Sequence, residues 1–223
     1  MHIFFSKFKG KDLLVGVLLA IWLIILAVLI VTFIPTYYIH HIESYGIPRL
    51  TGLSAEAIAK NYCSIIHYLS LFTRGPMITP DFTLTRETMI HFQDVKVLYT
   101  VAEIYEIVAI VPIVLLIRSC LKDREVEFMK LTVIMLVIFG VIVGIVAMSD
   151  FDAAFTLFHK ILFNNDYWLI NPLIDPIINI FPEEYFAALA VEIGVILAFA
   201  GTLLVVGYLI GQRYFMKAKE NGN

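Results

Sequence analysis

Charge is what this sequence has least of. Only 16% of its 223 residues are Asp, Glu, Lys or Arg, against about 25% in soluble domains. Apolar residues make up 60% of the chain, and the mean hydropathy is +0.87. A chain of this size has too little interior to keep that much apolar surface from water. Soluble enzymes, nucleic-acid binders and disordered regulators are thereby excluded. With 19 acids and 16 bases the net charge is −3, so no polybasic field invites nucleic acid, and no such partner is expected. Cysteine is nearly absent: Cys63 and Cys120 are the only two, too few for a disulfide framework. Short chemical motifs are missing as well. No His-Glu-x-x-His, Cys-x-x-Cys or His-x-His occurs, so no metal site is expected. The Gly-x-Ser-x-Gly elbow and phosphate-cradling glycine loops are also missing, and no cofactor is expected.

What is present is four long apolar runs. A bilayer core of ~30 Å takes about 20 residues of helix. Leu13–Phe33 and Leu131–Met148 carry no charge, Val97–Ile117 holds Glu103 and Glu106, and Phe186–Ile210 holds Glu192. The first run is longer than the ~7–15 apolar residues of a signal peptide, and no small-x-small cleavage site follows, so it reads as a retained helix. Basic residues set the orientation. Lys7, Lys9 and Lys11 precede the first run, Arg118, Lys122, Arg124 and Lys130 separate the second from the third, and Arg213, Lys217 and Lys219 follow the last. Both termini are therefore expected inside. The resulting map is 1–33 cytoplasmic tail and first span, 34–96 first part of an extracellular cap, 97–117 second span, 118–130 cytoplasmic loop, 131–148 third span, 149–185 second part of the cap, 186–210 fourth span and 211–223 cytoplasmic tail. The fold class is an all-α membrane protein of four transmembrane helices. Its extracellular cap is expected to mix short helices and strands.

The cap segments are rich in aromatics rather than in linker residues. Ser54 is a fitting N-cap for a helical run from Leu53 to Phe72, and Gly75-Pro76 marks a turn. Met77 to Leu84 alternates as a short strand or hairpin would. Thr85 caps a helix expected to start near Arg86 and run unbroken into the second span. In the second segment Phe151, Phe155, Phe158 and Leu162 recur at helical spacing, giving an amphipathic helix suited to the membrane interface.

Histidine is the side chain that exchanges protons near neutral pH. Five of the six lie in the cap segments, at positions 40, 41, 67, 91 and 159, and the sixth is His2. His91 falls on the start of a rigid helix, with Asp94 at i+3 to orient or charge-stabilise it. The alternative is a surface His–Asp pair without function. His159 borders the aromatic face, either as a proton-transfer group or as a satisfied interface histidine. Glu103, Glu106 and Glu192 either line a polar floor under the cap or reach toward a nearby interface.

These residues fall into two groups that resemble a known family. One is Phe158-His159-Lys160 … Trp168 … Pro172 … Asp175 … Phe181-Pro182-Glu183 … Tyr185-Phe186. The other is Glu87 … His91 … Asp94-Val95-Lys96. Together with the four-span layout, they resemble the lipoprotein intramolecular transacylase (Lit) family of bacterial integral membrane proteins. The resemblance implies an acyltransferase of the bacterial plasma membrane, multi-pass, working among membrane lipid. Its substrate is a diacylglyceryl-modified lipoprotein, and it moves the sn-2 acyl chain onto the α-amine of the N-terminal cysteine, giving the lyso-form. It implies His91 and His159 as the catalytic pair. It places Asp94, Lys96, Phe158, Trp168 and Asp175 around them as supporting and substrate-pocket residues. Two other readings stay open: a non-catalytic four-span protein that binds lipid or a partner, and a metal-dependent membrane hydrolase using both histidines and a carboxylate.

Overall fold

The structure is a computed structural model that describes residues 8–220, with the side chains of 146–149 and 218–220 left undescribed. Lys7 and His2 lie outside the described residues, and the side chain of Lys219 is among those left undescribed. Every regular element in the described residues is helical. In chain order they are α1 (Gly10–Phe33), α2 (Thr36–His41), α3 (Ile47–Thr51), α4 (Ala55–Leu69), α5 (Arg86–Lys122), α6 (Glu127–Ser149), α7 (Phe151–Leu162), a 3₁₀ turn (Pro176–Ile180) and α8 (Glu183–Glu220). Four of these, α1, α5, α6 and α8, are long and apolar enough to cross a membrane. At 1.5 Å per residue α5 is about 55 Å long, well beyond a ~30 Å hydrocarbon core. This is the expected helix running unbroken from Arg86 through the second span.

The chain divides into two compact units. The first comprises Met1–Ala27, Glu106–Gly144 and Ile193–Asn223. Its core is formed by Val15, Leu19, Ile113, Cys120 and Phe128, and by Ala20, Ala27, Leu136 and Leu197. Small residues bring its helices close. A Cβ on Gly16 would stand 2.8 Å from Leu131 Cδ2, so α1 meets α6 nearly backbone to side chain. The opposite faces stay apolar and uncovered: Ile107, Val108, Val111 and Leu115 on α5, Val137 and Val141 on α6, and Phe199 and Leu203 on α8 are all exposed. Helices apolar on all sides belong in lipid.

The second unit comprises Val28–Tyr105 and Ile145–Glu192. The two cap segments, far apart in sequence, share one core here. Tyr38, Ile42, Ile47, Ile58, Tyr62 and Ile65 pack with Ile177, Ile180 and Tyr185. Tyr38 and Tyr62 stack with ring centroids 3.7 Å apart. Their hydroxyls are satisfied across the segments, Tyr38 donating to the Ile180 carbonyl at 2.6 Å and Tyr62 bonding to Tyr185. Ser54 caps α4 as expected, its Oγ accepting the N–H of Ala57.

The expected strand at Met77–Leu84 does not form, and no strand occurs among the described residues. A strand needs a partner for its backbone groups, and this segment finds side chains instead. The buried Asn61 of α4 accepts the N–H of Asp81 and donates to its carboxylate, Ser64 donates to the Ile78 carbonyl, and Thr79 Oγ1 donates to the Phe82 carbonyl. Pro80 lacks a ladder donor altogether. The cap in this structure is built of helices and irregular chain.

Candidate active site

His91, His159 and the residues expected around them fall in the second unit, as do Glu103 and Glu192, whereas Glu106 belongs to the first. His91 stands in the second turn of α5, and His159 in the last turn of α7. Local signals fix both helices. Thr85 Oγ1 accepts the N–H of Thr88 at the start of α5, and Asp150 Oδ1 accepts the N–H of Ala153 at the start of α7, each filling a donor that a helix start leaves open.

The two imidazoles face one another, with centroids 6.0 Å apart and planes at 38°. Both residues are only 8% exposed. Aromatic rings wall them in. Phe155 lies 4.0 Å from His159, Trp168 stacks on it at 4.9 Å, and Phe163 stands edge-on to His91 at 5.1 Å. Phe158 meets the His159 ring at 5.4 Å but is otherwise largely exposed.

Hydrogen bonding distinguishes the two rings. His159 Nδ1 lies 2.7 Å from the Phe155 carbonyl. A carbonyl only accepts, so Nδ1 carries the proton and Nε2 keeps its lone pair in the neutral ring. His91 Nδ1 is buried with no hydrogen bond, and so is the indole Nε1 of Trp168. Burial, then the neighbouring His159, lowers the His91 pKa to about 4, while Asp94 opposes the shift. Burial likewise lowers His159, against the Phe155 hydrogen bond. In both rings burial favours the neutral form, which is the form able to accept a proton.

The supporting residues are placed differently from one another. Asp94 accepts the amide N–H of Asn165 at 2.9 Å, which ties α5 to the turn after α7 and leaves its action on His91 to charge. Asn165 was not singled out from the sequence; its only signal there is the Asn-Asn-Asp turn. Lys96 donates to the carbonyls of Tyr68 and Thr73 and lies over the Tyr68 ring, so it closes the end of α4. Asp175 is 3% exposed. It accepts the N–H and hydroxyl of Thr85 and the hydroxyl of Thr88, anchoring the turn of α5 that precedes His91. Burial acts to raise its pKa, but these hydrogen bonds outweigh it and hold the carboxyl below its usual value. Glu103 accepts from the Leu71 N–H and the Ser70 hydroxyl, fastening the chain after α4. Among the described residues, no carboxylate or thiol joins the two histidines at metal-ligand spacing.

Two buried histidines meet here in a protein with four helices long and apolar enough to cross a membrane, and the comparisons place it among membrane-integral acyltransferases. The family model described as lipoprotein intramolecular transacylase Lit matches residues 13–186. The chain belongs to this family. No curated protein matches it. Among solved structures, the membrane-integral lipoprotein intramolecular transacylase Lit from Bacillus cereus is 31% identical with a TM-score of 0.86, covering 94% of this chain and 96% of that one. A histidine-to-alanine variant of the same protein is 30% identical with a TM-score of 0.82, covering 94% of each chain. A histidine-to-arginine variant is 27% identical with a TM-score of 0.76, covering 100% of this chain and 98% of that one.

Proposed function

We propose that the chain transfers the sn-2 acyl group of a diacylglyceryl lipoprotein to the α-amine of its N-terminal cysteine, using His91 and His159 as an acid–base pair. The observation that carries this reading is two buried imidazoles facing each other inside an aromatic wall. The amine and the ester belong to one substrate molecule. Attack closes a medium-sized ring through the amine nitrogen, Cα, Cβ, sulfur, the glyceryl carbons, the ester oxygen and the acyl carbon. Free chains rarely adopt such a ring, and a shaped site that holds the amine against the ester supplies the missing orientation. No protein nucleophile is required.

Proton balance assigns the roles. The ammonium nitrogen gives up two protons in becoming an amide: one is released to solvent before attack, and the other is taken by the base during attack and matches the one that the departing glyceryl oxygen gains. His159 serves as the base, because its Nδ1–H is committed to Phe155 and its Nε2 is the free acceptor. His91 serves as the acid or oxyanion partner. Burial favours its neutral form at rest, so it first takes up the proton that His159 removes from the amine, and its strong conjugate acid then gives that proton readily to the leaving oxygen. The buried, unbonded indole N–H of Trp168 beside His159 is a further donor for a developing oxyanion. The aromatic wall keeps water from competing with the amine for the ester. The map of spans, with both termini cytoplasmic and the cap outside, belongs to this proposal. It rests on the basic residues around Lys9 and Lys11, Arg118–Lys130 and Arg213–Lys217. It places the histidine pair near the outer headgroups, where lipid-modified substrates are held.

The experiment is acyl mapping by fragment mass spectrometry of a diacylglyceryl lipopeptide after incubation with the full chain. The wild type is expected to move one acyl chain from oxygen to nitrogen. His91→Ala and His159→Ala are each expected to slow this by about 10²–10⁴-fold, while His40→Ala and His67→Ala remain near wild type. Wild-type rates in either cap-pair variant remove that histidine from the chemistry.

A further inference from the structure

The acid–base site leaves one distinctive cluster unused. In the first unit Asp12, Cys120 and Glu125 each bring one ligand atom within 4.8 Å of the others. Asp12 is 2% exposed, and Cys120 is wholly buried. Asp12 Oδ2 accepts the backbone N–H of Lys9 at 3.2 Å, but Oδ1 is buried with no hydrogen bond. That oxygen is out of contact with solvent and has no hydrogen-bond donor in its place, although the Lys9 ammonium acts on the carboxylate through charge. A cation is the partner that removes the cost.

The backbone is bent to build this cluster. After α5 the chain turns through Arg124 at φ 60°, the one non-glycine residue with positive φ among the described residues. Arg124 N donates to the Leu121 carbonyl and Glu125 N to the Cys120 carbonyl at 2.9 Å. This closure is normally made with glycine in the left-handed position. Here an arginine takes it, and Glu125 is folded back onto the helical turn that carries Cys120.

We infer that Asp12, Cys120 and Glu125 bind one divalent ion of the zinc class. Calcium and magnesium are held by oxygen alone, whereas a thiolate with two carboxylates suits a borderline ion such as Zn²⁺. Three protein ligands leave a fourth position for water. Zinc bonds of about 2.0–2.3 Å set tetrahedral ligand atoms roughly 3.5 Å apart, so the three groups close in by about an ångström of side-chain movement. Binding forms the Zn–S bond and releases the Cys120 thiol proton to solvent. Three anionic ligands around a divalent ion leave one negative charge, and two ammoniums at the rim offset it. Lys9 pairs with Glu125 and Lys11 with Asp123. The Lys9 side chain is 71% exposed, so it steps aside from the Glu125 oxygen without leaving the site. The ion joins the start of α1 to the turn between α5 and α6. On the proposed orientation this is the reducing side of the membrane, where a thiol binds metal rather than forming a disulfide.

The test uses the full chain in detergent with Cys63→Ser, leaving Cys120 as the one thiol. Cobalt(II) serves as the spectroscopic probe, and Zn²⁺ with a competing chromophoric chelator gives stoichiometry. The expected result is one equivalent of Zn²⁺, a sulfur-to-cobalt charge-transfer band that Zn²⁺ bleaches, and protection of Cys120 from thiol reagents in mild denaturant. Asp12→Asn is expected to weaken Zn²⁺ binding at least tenfold, and Cys120→Ala to abolish the cobalt band. Absence of the band and of protection in the parent chain overturns the site, as does Zn²⁺ binding that neither substitution changes. Because the parent chain is itself measured, a misfolded variant does not decide the outcome.

Discussion

Asp175 was grouped from the sequence with the substrate pocket, and its geometry predicts a different kind of defect when it is replaced. Its carboxylate accepts from Thr85 N at 2.8 Å, Thr85 Oγ1 at 2.6 Å and Thr88 Oγ1 at 2.8 Å. Charge-assisted bonds contribute about 1.5–3 kcal/mol each. It also places a negative charge at the positive end of α5, a further ~0.3–1 kcal/mol. Asp175→Ala does not lose the whole of this. With the carboxylate gone the Thr85 hydroxyl can turn to donate to Thr88 Oγ1, 3.2 Å away, so the stranded donors are the Thr85 N–H and the Thr88 hydroxyl. A net loss of about 3 kcal/mol follows, typical of a broken buried network. The assay is thermal unfolding of the detergent-solubilised chain beside acyl-transfer kinetics at a temperature where the variant is folded. The expected result is a clearly lower Tm for Asp175→Ala and a smaller loss for Asp175→Asn, with most of the activity retained in the folded fraction. Because the folded-state pKa is depressed, the clasp holds above the ordinary carboxylate range. It fails as pH falls through the lower, folded value. An unchanged Tm with abolished turnover would refute this reasoning and return Asp175 to the substrate pocket.

Two further predictions use other groups. Cys63 is partly accessible and Cys120 buried, so an impermeant thiol reagent on intact cells is expected to label Cys63 and spare Cys120; labelling of Cys120 alone reverses the proposed orientation. The second concerns His91, whose folded pKa of about 4 lies below the ~6.5 of an unfolded histidine. The unfolded chain then binds the proton more readily, so stability is expected to fall as pH drops from about 6.5 toward 4. A flat Tm across that window, or an identical slope in His91→Gln, contradicts the burial of this ring.

The spans were legible because lipid imposes one rule along the whole length of a helix: an apolar run, unbroken, of sufficient length. Leu13–Phe33 and Leu131–Met148 fall within α1 and α6, each a few residues short at the N-terminal end. The caps at Ser54 and Thr85 were legible for a related reason, since a cap bonds to residues two or three positions away. Met77–Leu84 misled because alternation describes side chains, whereas a strand is made by a partner for the backbone. The partner here is Asn61, about twenty positions earlier, and an asparagine on a helix face carries no mark that it will bond to a distant segment.

The same distinction runs through the site. Histidine is chemically conspicuous, so His91 and His159 could be singled out, yet their meeting is set by contacts that no local pattern contains. Asn165 on Asp94 and the threonines on Asp175 link positions about seventy and ninety residues apart. Each fixes α5 from the other cap segment, one on either side of His91 along the helix. The imidazole is thus held by bonds at Thr88 and Asp94, three residues before it and three after, while its own Nδ1 is left unbonded. On the proposed mechanism that arrangement leaves His91 a nitrogen for proton transfer. A histidine bonded at both nitrogens would have to break a bond to act; His159 is held through Nδ1 alone, and His91 is held through its neighbours. Lys96 and Glu103 extend the same logic down α5, each fastening the chain near the end of α4 rather than touching the pair. The acidic and basic residues that look functional in the sequence act here mainly to hold a helix still, and on the proposed mechanism the chemistry falls to the two imidazoles.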